Sequence, residues 1–323
     1  MIQYPWLIKI YQKIITNYQN NNLHHAIILE SHSINNISKL IWTIIKWIFC
    51  NSPIGMKNCY KCKNCILTNT KKHPDLYILF PKKKKQYIST ENIRNILQKI
   101  QNTPQQNKIK IIWIPDYSTL TIFGINILLK VIEEPPKNTF FFLGNKKTNT
   151  IHATFKSRLL RYQTPIPNEK DGLAWLKKYT QAKKIECLIA LRCNHHNPEL
   201  AKKFLYKNIW SLRNHLYYNI SKIIEKKNFL VLLPILNNNK ICTKIYWIII
   251  LLLDSLKFKN NFFSLLVNID YIPLIQKISK QYSHKNLYIL LKTWQKCRYQ
   301  LINIKNINQE ILLLKQLIKW KIF

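Results

Sequence analysis

Short apolar runs alternate with amphipathic stretches through the first half of this chain, and then the alternation stops. Residues 26–30 (AIILE), 75–80 (DLYILF), 108–115 (KIKIIWIP) and 139–143 (TFFFL) have the length and apolar content of strands. Between them, residues 36–49 repeat apolar side chains at 37, 40, 41, 44, 45 and 48, and residues 89–100 repeat them at 93, 96, 97 and 100, which is helical spacing. Ser89 supplies an N-cap for the second of these helices. Residues 121–134 read as a helix that Pro135-Pro136 must end, because proline has no N–H to donate and its ring clashes with the preceding turn. Strands separated by helices must cross over rather than turn back, so the sheet is expected to be mainly parallel. The run at 108–115 suits the interior of such a sheet, covered on both faces.

The pattern changes at Gln163-Thr164-Pro165-Ile166-Pro167, a proline-bearing linker. Beyond it only helices are expected: three short ones near 168–180, 185–192 and 199–207, then longer amphipathic ones from about residue 210, including 286–298 and 308–320. This gives an α/β domain over 1–166, a small helical unit over 167–208 and a larger all-helical domain over 209–323. The longest apolar run, 246–253, is closed by Asp254 and is too short to span a bilayer, so no membrane association is expected. The N-terminus does not read as a secretory signal, and a cytoplasmic location follows as the expectation.

In a reducing compartment, clustered cysteines suggest metal rather than disulfides. Four of the eight cysteines fall in one sixteen-residue stretch, as Cys50-x8-Cys59-x2-Cys62-x2-Cys65. Two residues between cysteines let both sulfurs of a tight turn face one point. Four thiolates with no open position describe structural zinc, which stabilises a segment that has no core of its own. The alternative is an iron–sulfur cluster, but the cysteine that would complete a ferredoxin-like run is Asn69. Cys187, Cys193, Cys242 and Cys297 are scattered among apolar helices and read as small buried hydrophobes.

The formal charge of +37 permits a nucleic-acid partner without demonstrating one. The basic residues are 45 lysines and only six arginines, in a chain rich in Ile and Asn and with four glycines. Those are the preferences of A/T-rich codons, so mutational drift alone would produce this charge. Lys82–Lys85 could contact DNA, but such a run reads better as a solvated loop.

A nucleotide-binding α/β domain keeps its phosphate loop after its first strand. Here that place is Ser31-His32-Ser33-Ile34-Asn35-Asn36-Ile37-Ser38-Lys39, and no glycine precedes Gly55. Glycines let backbone amides approach phosphates, and a Ser or Thr after the lysine holds magnesium; Leu40 follows Lys39 instead. Asp116 could mimic a magnesium-holding aspartate, but Tyr117 stands where a catalytic glutamate would be expected. ATP hydrolysis by the chain alone is therefore not expected.

Tyr4-Pro5-Trp6-Leu7, His24-His25-Ala26, the four spaced cysteines, His73-Pro74-Asp75, Asn126-Ile127-Leu128-Leu129-Lys130, Glu133-Glu134-Pro135-Pro136 and Ser157-Arg158 together resemble the delta-prime family of bacterial DNA polymerase III clamp-loader subunits over nearly the whole chain. The resemblance implies an AAA+-type parallel-sheet domain (1–166) with a zinc-module insertion near 50–66, a small helical lid (167–208) and a helical collar (209–323). It implies structural zinc on Cys50, Cys59, Cys62 and Cys65, and no nucleotide bound by this chain. It implies a place beside gamma/tau motor and delta subunits in a hetero-pentamer that loads the sliding clamp onto primed DNA, as part of a DNA polymerase holoenzyme. It also implies that Arg158, with Ser157 as its motif neighbour, reaches in trans into a neighbouring subunit's ATP site, where a guanidinium can stabilise transition-state charge. Leu159 stands where the family has Cys, and it reads as a packing position. Two other functions compete with this one: an active ATPase subunit of the loader, and a free-standing zinc-containing nucleic-acid binder.

Overall fold

Every crossover expected from the sequence joins parallel strands in the computed structural model, which describes residues 4–81, 86–106, 109–206, 208–226, 228–237, 240–304 and 307–322. The chain forms two compact units, Met1–Ile166 and Pro167–Phe323. In the first, α1 (Ile8–Gln19) precedes β1 (Ala26–Ser31), α2 (Ile34–Ile48), α3 (Lys63–Asn69) and β2 (Leu76–Ile78). Then come α4 (Thr90–Gln101), β3 (Lys110–Ile114), α5 (Ile122–Glu133), β4 (Thr139–Lys146), the single turn α6 (Ala153–Lys156) and β5 (Leu160–Gln163). The sheet order is β2-β3-β4-β1-β5, all parallel.

Burial follows the strand composition. All side chains of β1 and β3 are buried, as an interior parallel strand requires, and β4 is nearly as enclosed. On one face α4 and α5 pack Ile93, Leu97, Ile100, Ile125, Leu128 and Ile132 against Ile28, Ile112, Phe141 and Leu143. Ser89 caps α4 by accepting from Asn92 N, and Thr121 caps α5 by accepting from Gly124 N. Glycine is obligatory at residue 144: a Cβ there would lie 2.2 Å from the carbonyl oxygen of Pro115, so β4 can approach the end of β3 this closely only without a side chain.

The expected strand at 75–80 is only Leu76–Ile78, although Asp75 O and Leu79 N still bond to Ile111 N and Trp113 O beside it. The buried carboxylate of Asp75 accepts the backbone N–H groups of Gln105 (2.8 Å) and Gln106 (3.0 Å). Buried Lys110 donates to the carbonyls of Ile100 and Asn102. β5 was not among the expected strands. It has four residues and buries only Tyr162, so it offers no hydrophobic run to detect.

What holds β5 is polar. Glu30, buried at the end of β1, receives Arg161 Nη2 at 2.8 Å and Asn145 Nδ2 at 3.3 Å on its carboxylate. Its backbone carbonyl receives both Thr164 N (2.8 Å) and Thr164 Oγ1 (2.9 Å).

The second unit is helical throughout its described residues: α7 (Glu169–Tyr179), α8 (Lys184–Cys193), α9 (Pro198–Tyr206), α10 (Ile209–Lys226), α11 (Leu233–Leu236), α12 (Ile241–Lys259), α13 (Ile272–Gln281), α14 (His284–Asn303) and α15 (Gln309–Ile322), with short 3-10 turns between some of them. α12 is its centre and carries the apolar run closed by Asp254. That aspartate is fully buried and accepts Asn268 N and Asn268 Nδ2, both at 2.8 Å. Asn268 Oδ1 in turn receives Arg213 Nη2 at 2.8 Å, and Arg213 is paired through two 2.7 Å bonds with Asp270. One polar chain thus pins the 266–271 loop to α10 and α12. No described helix is long and apolar enough to cross a membrane. Cys187, Cys193 and Cys297 are buried as expected, whereas Cys242 is only partly so.

Removing the Glu30 side chain leaves Arg161 and Asn145 without their shared acceptor beside a strand with one buried residue. Glu30→Ala is expected to lower stability by about 2 kcal/mol, the partial exposure of Arg161 discounting a fully buried pair. Urea denaturation checks this, and an unchanged midpoint would mean that the backbone ladder alone secures β5.

Candidate functional site

Two places carry the chemistry singled out from the sequence, and they are separate. The four cysteines converge. Cys50 follows the end of α2, Cys62 caps α3, and Cys65 lies in its first turn. A tetrahedral thiolate site with bonds of about 2.3 Å sets its sulfurs about 3.8 Å apart. Cys59 and Cys65 Sγ stand 3.8 Å apart, and all four sulfurs lie within 4.8 Å of one another.

The surrounding donors suit thiolates. Cys59 N reaches Cys50 Sγ at 3.2 Å, Cys62 N reaches Cys59 Sγ at 3.3 Å, and Cys65 N reaches Cys62 Sγ at 3.4 Å. Asn58 Nδ2 approaches Cys65 Sγ at 3.6 Å. The N–H groups of Cys62 and Lys61 pull the Cys59 thiol down to about 6, whereas burial pushes the Cys50 and Cys65 thiols up. N–H groups arranged around the sulfurs, and the approach of all four to one point, fit a cation held by four thiolates, whose charge would offset the burial of Cys50 and Cys65.

The loop between Cys50 and Cys59 is fixed by the rest of the first unit. Trp47 Nε1 donates to Gly55 O (3.0 Å), and Tyr11 Oη donates to Met56 O (2.8 Å). Gly55 takes φ +56° in the turn closed by the Ile54–Lys57 bridge, a left-handed conformation that glycine adopts freely.

Ser157 and Arg158 lie elsewhere, on the connection from α6 to β5. Leu159 beside them is buried in the α4–α5 core with Phe155, Leu128 and Ile132, so the residue that replaces cysteine there does serve as packing. Anchored by that side chain, Arg158 points outward and is 42% exposed. Its Nη1 donates to Thr154 O (3.3 Å) and Ser157 Oγ (3.2 Å), and Ser157 Oγ donates to Thr154 O (2.9 Å). Its Nε pairs with Glu133 Oε1, from the last residue of α5.

The place of a phosphate loop is a tight junction. β1 ends at Ser31 and α2 begins at Ile34, and no residue from 31 to 39 takes a positive φ. Lys39, in the second turn of α2, donates to Tyr4 Oη at 2.5 Å with its ammonium 5.1 Å from the Tyr4 ring centroid. Asp116 caps a short turn, accepting from Ser118 N (2.9 Å) and Ser118 Oγ (2.8 Å). Tyr117 is buried against Phe155. The Lys82–Lys85 run lies outside the described residues.

Residues 7–166 match the family model described as "DNA polymerase III, delta subunit", and residues 207–321 match that of "DNA polymerase III, delta subunit, C terminal". The chain is 42% identical over 318 residues to DNA polymerase III subunit delta' of Buchnera aphidicola subsp. Acyrthosiphon pisum, covering 98% of this chain and 97% of that one. It belongs to the delta-prime family. Delta' of Yersinia pestis is 32% identical with 98% and 95% coverage, and that of Escherichia coli K12 is 29% identical with 98% and 94% coverage. The similarity to these delta' chains thus runs over nearly the whole length of this one. Sequence reasoning passed over Glu133 and Thr154 as contacts of Arg158, and over Tyr4 as the partner of Lys39. The signal for Glu133 was its placement, an acidic residue at a helix C-terminus.

The donor set predicts one tetrahedral site per chain. Titrating the reduced, metal-free protein with Co2+ is expected to give thiolate charge-transfer absorption that saturates at about one equivalent, and Cys65→Ser is expected to abolish it. Saturation at a fraction of an equivalent, or an unchanged spectrum in the variant, would remove the cysteines from the role of metal ligands.

Proposed function

We propose that this chain is the non-hydrolysing, stator-like subunit of a DNA polymerase III clamp loader. Family membership carries the reading, and the junction from β1 to α2 supports its non-hydrolysing part. A phosphate cradle needs a loop whose successive N–H groups converge on the ligand. Here two residues separate strand from helix, none is glycine, and Lys39 is committed to Tyr4. Asp116 spends its carboxylate on capping its own turn. The chain itself neither binds nor turns over ATP, and its ATP chemistry is exerted on a neighbour.

The agent is Arg158. It lies on a rigid base, the α6 turn and buried Leu159, with its guanidinium outward. Presented across a subunit interface, it meets γ-phosphate oxygens and stabilises the charge that spreads over them as the phosphoryl group transfers. Residues 167–208 act as the lid and 209–323 as the collar that joins motor (gamma/tau) and delta subunits in a cytoplasmic hetero-pentamer, which opens the sliding clamp and sets it on primed DNA. Cys50, Cys59, Cys62 and Cys65 hold structural zinc. With all four positions taken by thiolates, the metal orders the 50–65 loop and has no vacant position for a substrate.

Clamp- and primed-DNA-stimulated ATP hydrolysis by the loader, reconstituted from its own partner subunits, tests the proposal. The isolated chain is expected to be silent and to retain no labelled ATP. Arg158→Ala in the complex is expected to lower turnover only in part, since one of several ATP sites loses a finger worth roughly 10³ or more at its own site. Full turnover by the Arg158→Ala complex would reduce the chain to a scaffold, and turnover by the chain alone would overturn the non-hydrolysing assignment.

A further inference from the structure

Glu133 is the last residue of α5 and Glu134 is its C-cap, in a chain with only 14 acidic residues. The C-terminus of a helix carries the negative end of its dipole, so carboxylates there are disfavoured by a few tenths of a kcal/mol each. The ion pair that Glu133 makes is a weak stabiliser. Both partners are nearly half exposed, 42% for Arg158 and 45% for Glu133, and pairs so exposed to water add little to stability. A carboxylate in a poor place for stability, with a partner that adds little, calls for another reason.

The geometry points to Glu133 as the residue that aims Arg158; this inference rests on Arg158 acting in trans on a neighbour's ATP. A guanidinium has five N–H donors in one plane. Three are directed within this chain: Nε–H at Glu133 Oε1, and the two on Nη1 at Thr154 O and Ser157 Oγ. Among the described residues the two hydrogens of Nη2 have no partner and remain for a ligand. Thr154 and Ser157 belong to the same short turn as Arg158 and can hold only the near side of the group. Glu133 comes from a different helix and fixes the plane from the other side.

Without it a long side chain, nearly half exposed, samples its rotamers, and each encounter with the neighbour's phosphate must freeze them. That loss is of the order of 1–2 kcal/mol for an arginine. The two proline residues that follow stop α5 at this point, so the carboxylate is delivered at a fixed height beside the α6–β5 connection. Glu133 is a positioning residue: it touches neither nucleotide nor the reacting atoms.

The reconstituted loader again supplies the test, with Glu133→Ala, Glu133→Gln, Arg158→Ala and the double variant Glu133→Ala/Arg158→Ala. Subunit assembly is followed by gel filtration. A group that preorganises a transition-state contact affects kcat rather than the apparent KM for ATP. Glu133→Ala is expected to lower stimulated kcat by a fraction of the fall that Arg158→Ala produces, with KM changed by less than about two-fold and assembly intact.

Glu133→Gln keeps the acceptor oxygen without the charge and should fall between wild type and Glu133→Ala. Being nearly isosteric, it preserves the comparison if alanine perturbs the helix end. In the Arg158→Ala background, Glu133→Ala should cost nothing more, because there is nothing left to aim. A loss that adds to that of Arg158→Ala, or an unchanged or raised kcat in both Glu133 variants, overturns the positioning role while leaving the finger in place. No effect of Arg158→Ala itself overturns the finger and its positioning together.

Discussion

The hold of Glu30 on the strands beside it is the contact on which the working end of the first unit depends. β1 lies between β4 and β5, and Glu30 at its end ties to both, through Asn145 on one side and through Arg161 and Thr164 on the other. β4 would pair with β1 regardless, since both are apolar and buried along their length. β5 would not pair on hydrophobic grounds, with a single buried side chain in four residues. Once Glu30 has fixed it, the connection from α6 has one path, Leu159 drops into the α4–α5 core, and the next residue back, Arg158, is forced outward. Burying Leu159 contributes about 1.5–3 kcal/mol, enough to hold that register against the pull of an exposed neighbour.

This arrangement shows how the sheet is held independently of the loop that follows β1. The strands are retained by packing: Ile28, Ile112, Phe141 and Leu143 face α4 and α5 whatever the loops do. Gly144 must remain glycine because Pro115 O lies where its Cβ would be. The junction after β1 has no such packing duty, and there the strand passes almost directly into α2, with Lys39 bonded to Tyr4. Function at a phosphate loop needs special backbone, and special backbone is the part that packing does not defend.

The sequence showed most clearly what is set by periodicity and by steric rules. The strands at 26–30, 108–115 and 139–143 and the helices capped by Ser89 and stopped by Pro135 were legible within a few residues because buried parallel strands and proline stops leave a local signature. The convergence of Cys50, Cys59, Cys62 and Cys65 was legible because closely spaced cysteines on tight turns bring their sulfurs together. β5 was not, since its stability lies in Glu30, which is 130 residues away and reads as an unremarkable acid at a strand end. The same holds for Asp75, whose carboxylate accepts two distant amides, and for Glu133, whose partner is met only when α5 and the α6 turn come together. Polar contacts between distant elements have no period, so a linear reading cannot find them.

The arginines bring the same physics to bear on function. In a composition that supplies 45 lysines, six positions carry arginine, and four of those pair with a carboxylate. A lysine cannot replace the planar fork where two oxygens must be met at once. Arg213 is wholly buried and meets Asp270 with two bonds, Arg192 does the same with Glu169, and Arg161 meets the buried carboxylate of Glu30. Those three have a structural reason, because at least one partner of each pair is largely removed from water and would be stranded by any other side chain. Arg158 has no such reason. Its pair is the most exposed of the four, and its loss would strand no buried charge. A guanidinium that the fold does not need, on a base the fold holds rigid, is what the proposed action on a neighbouring subunit would require.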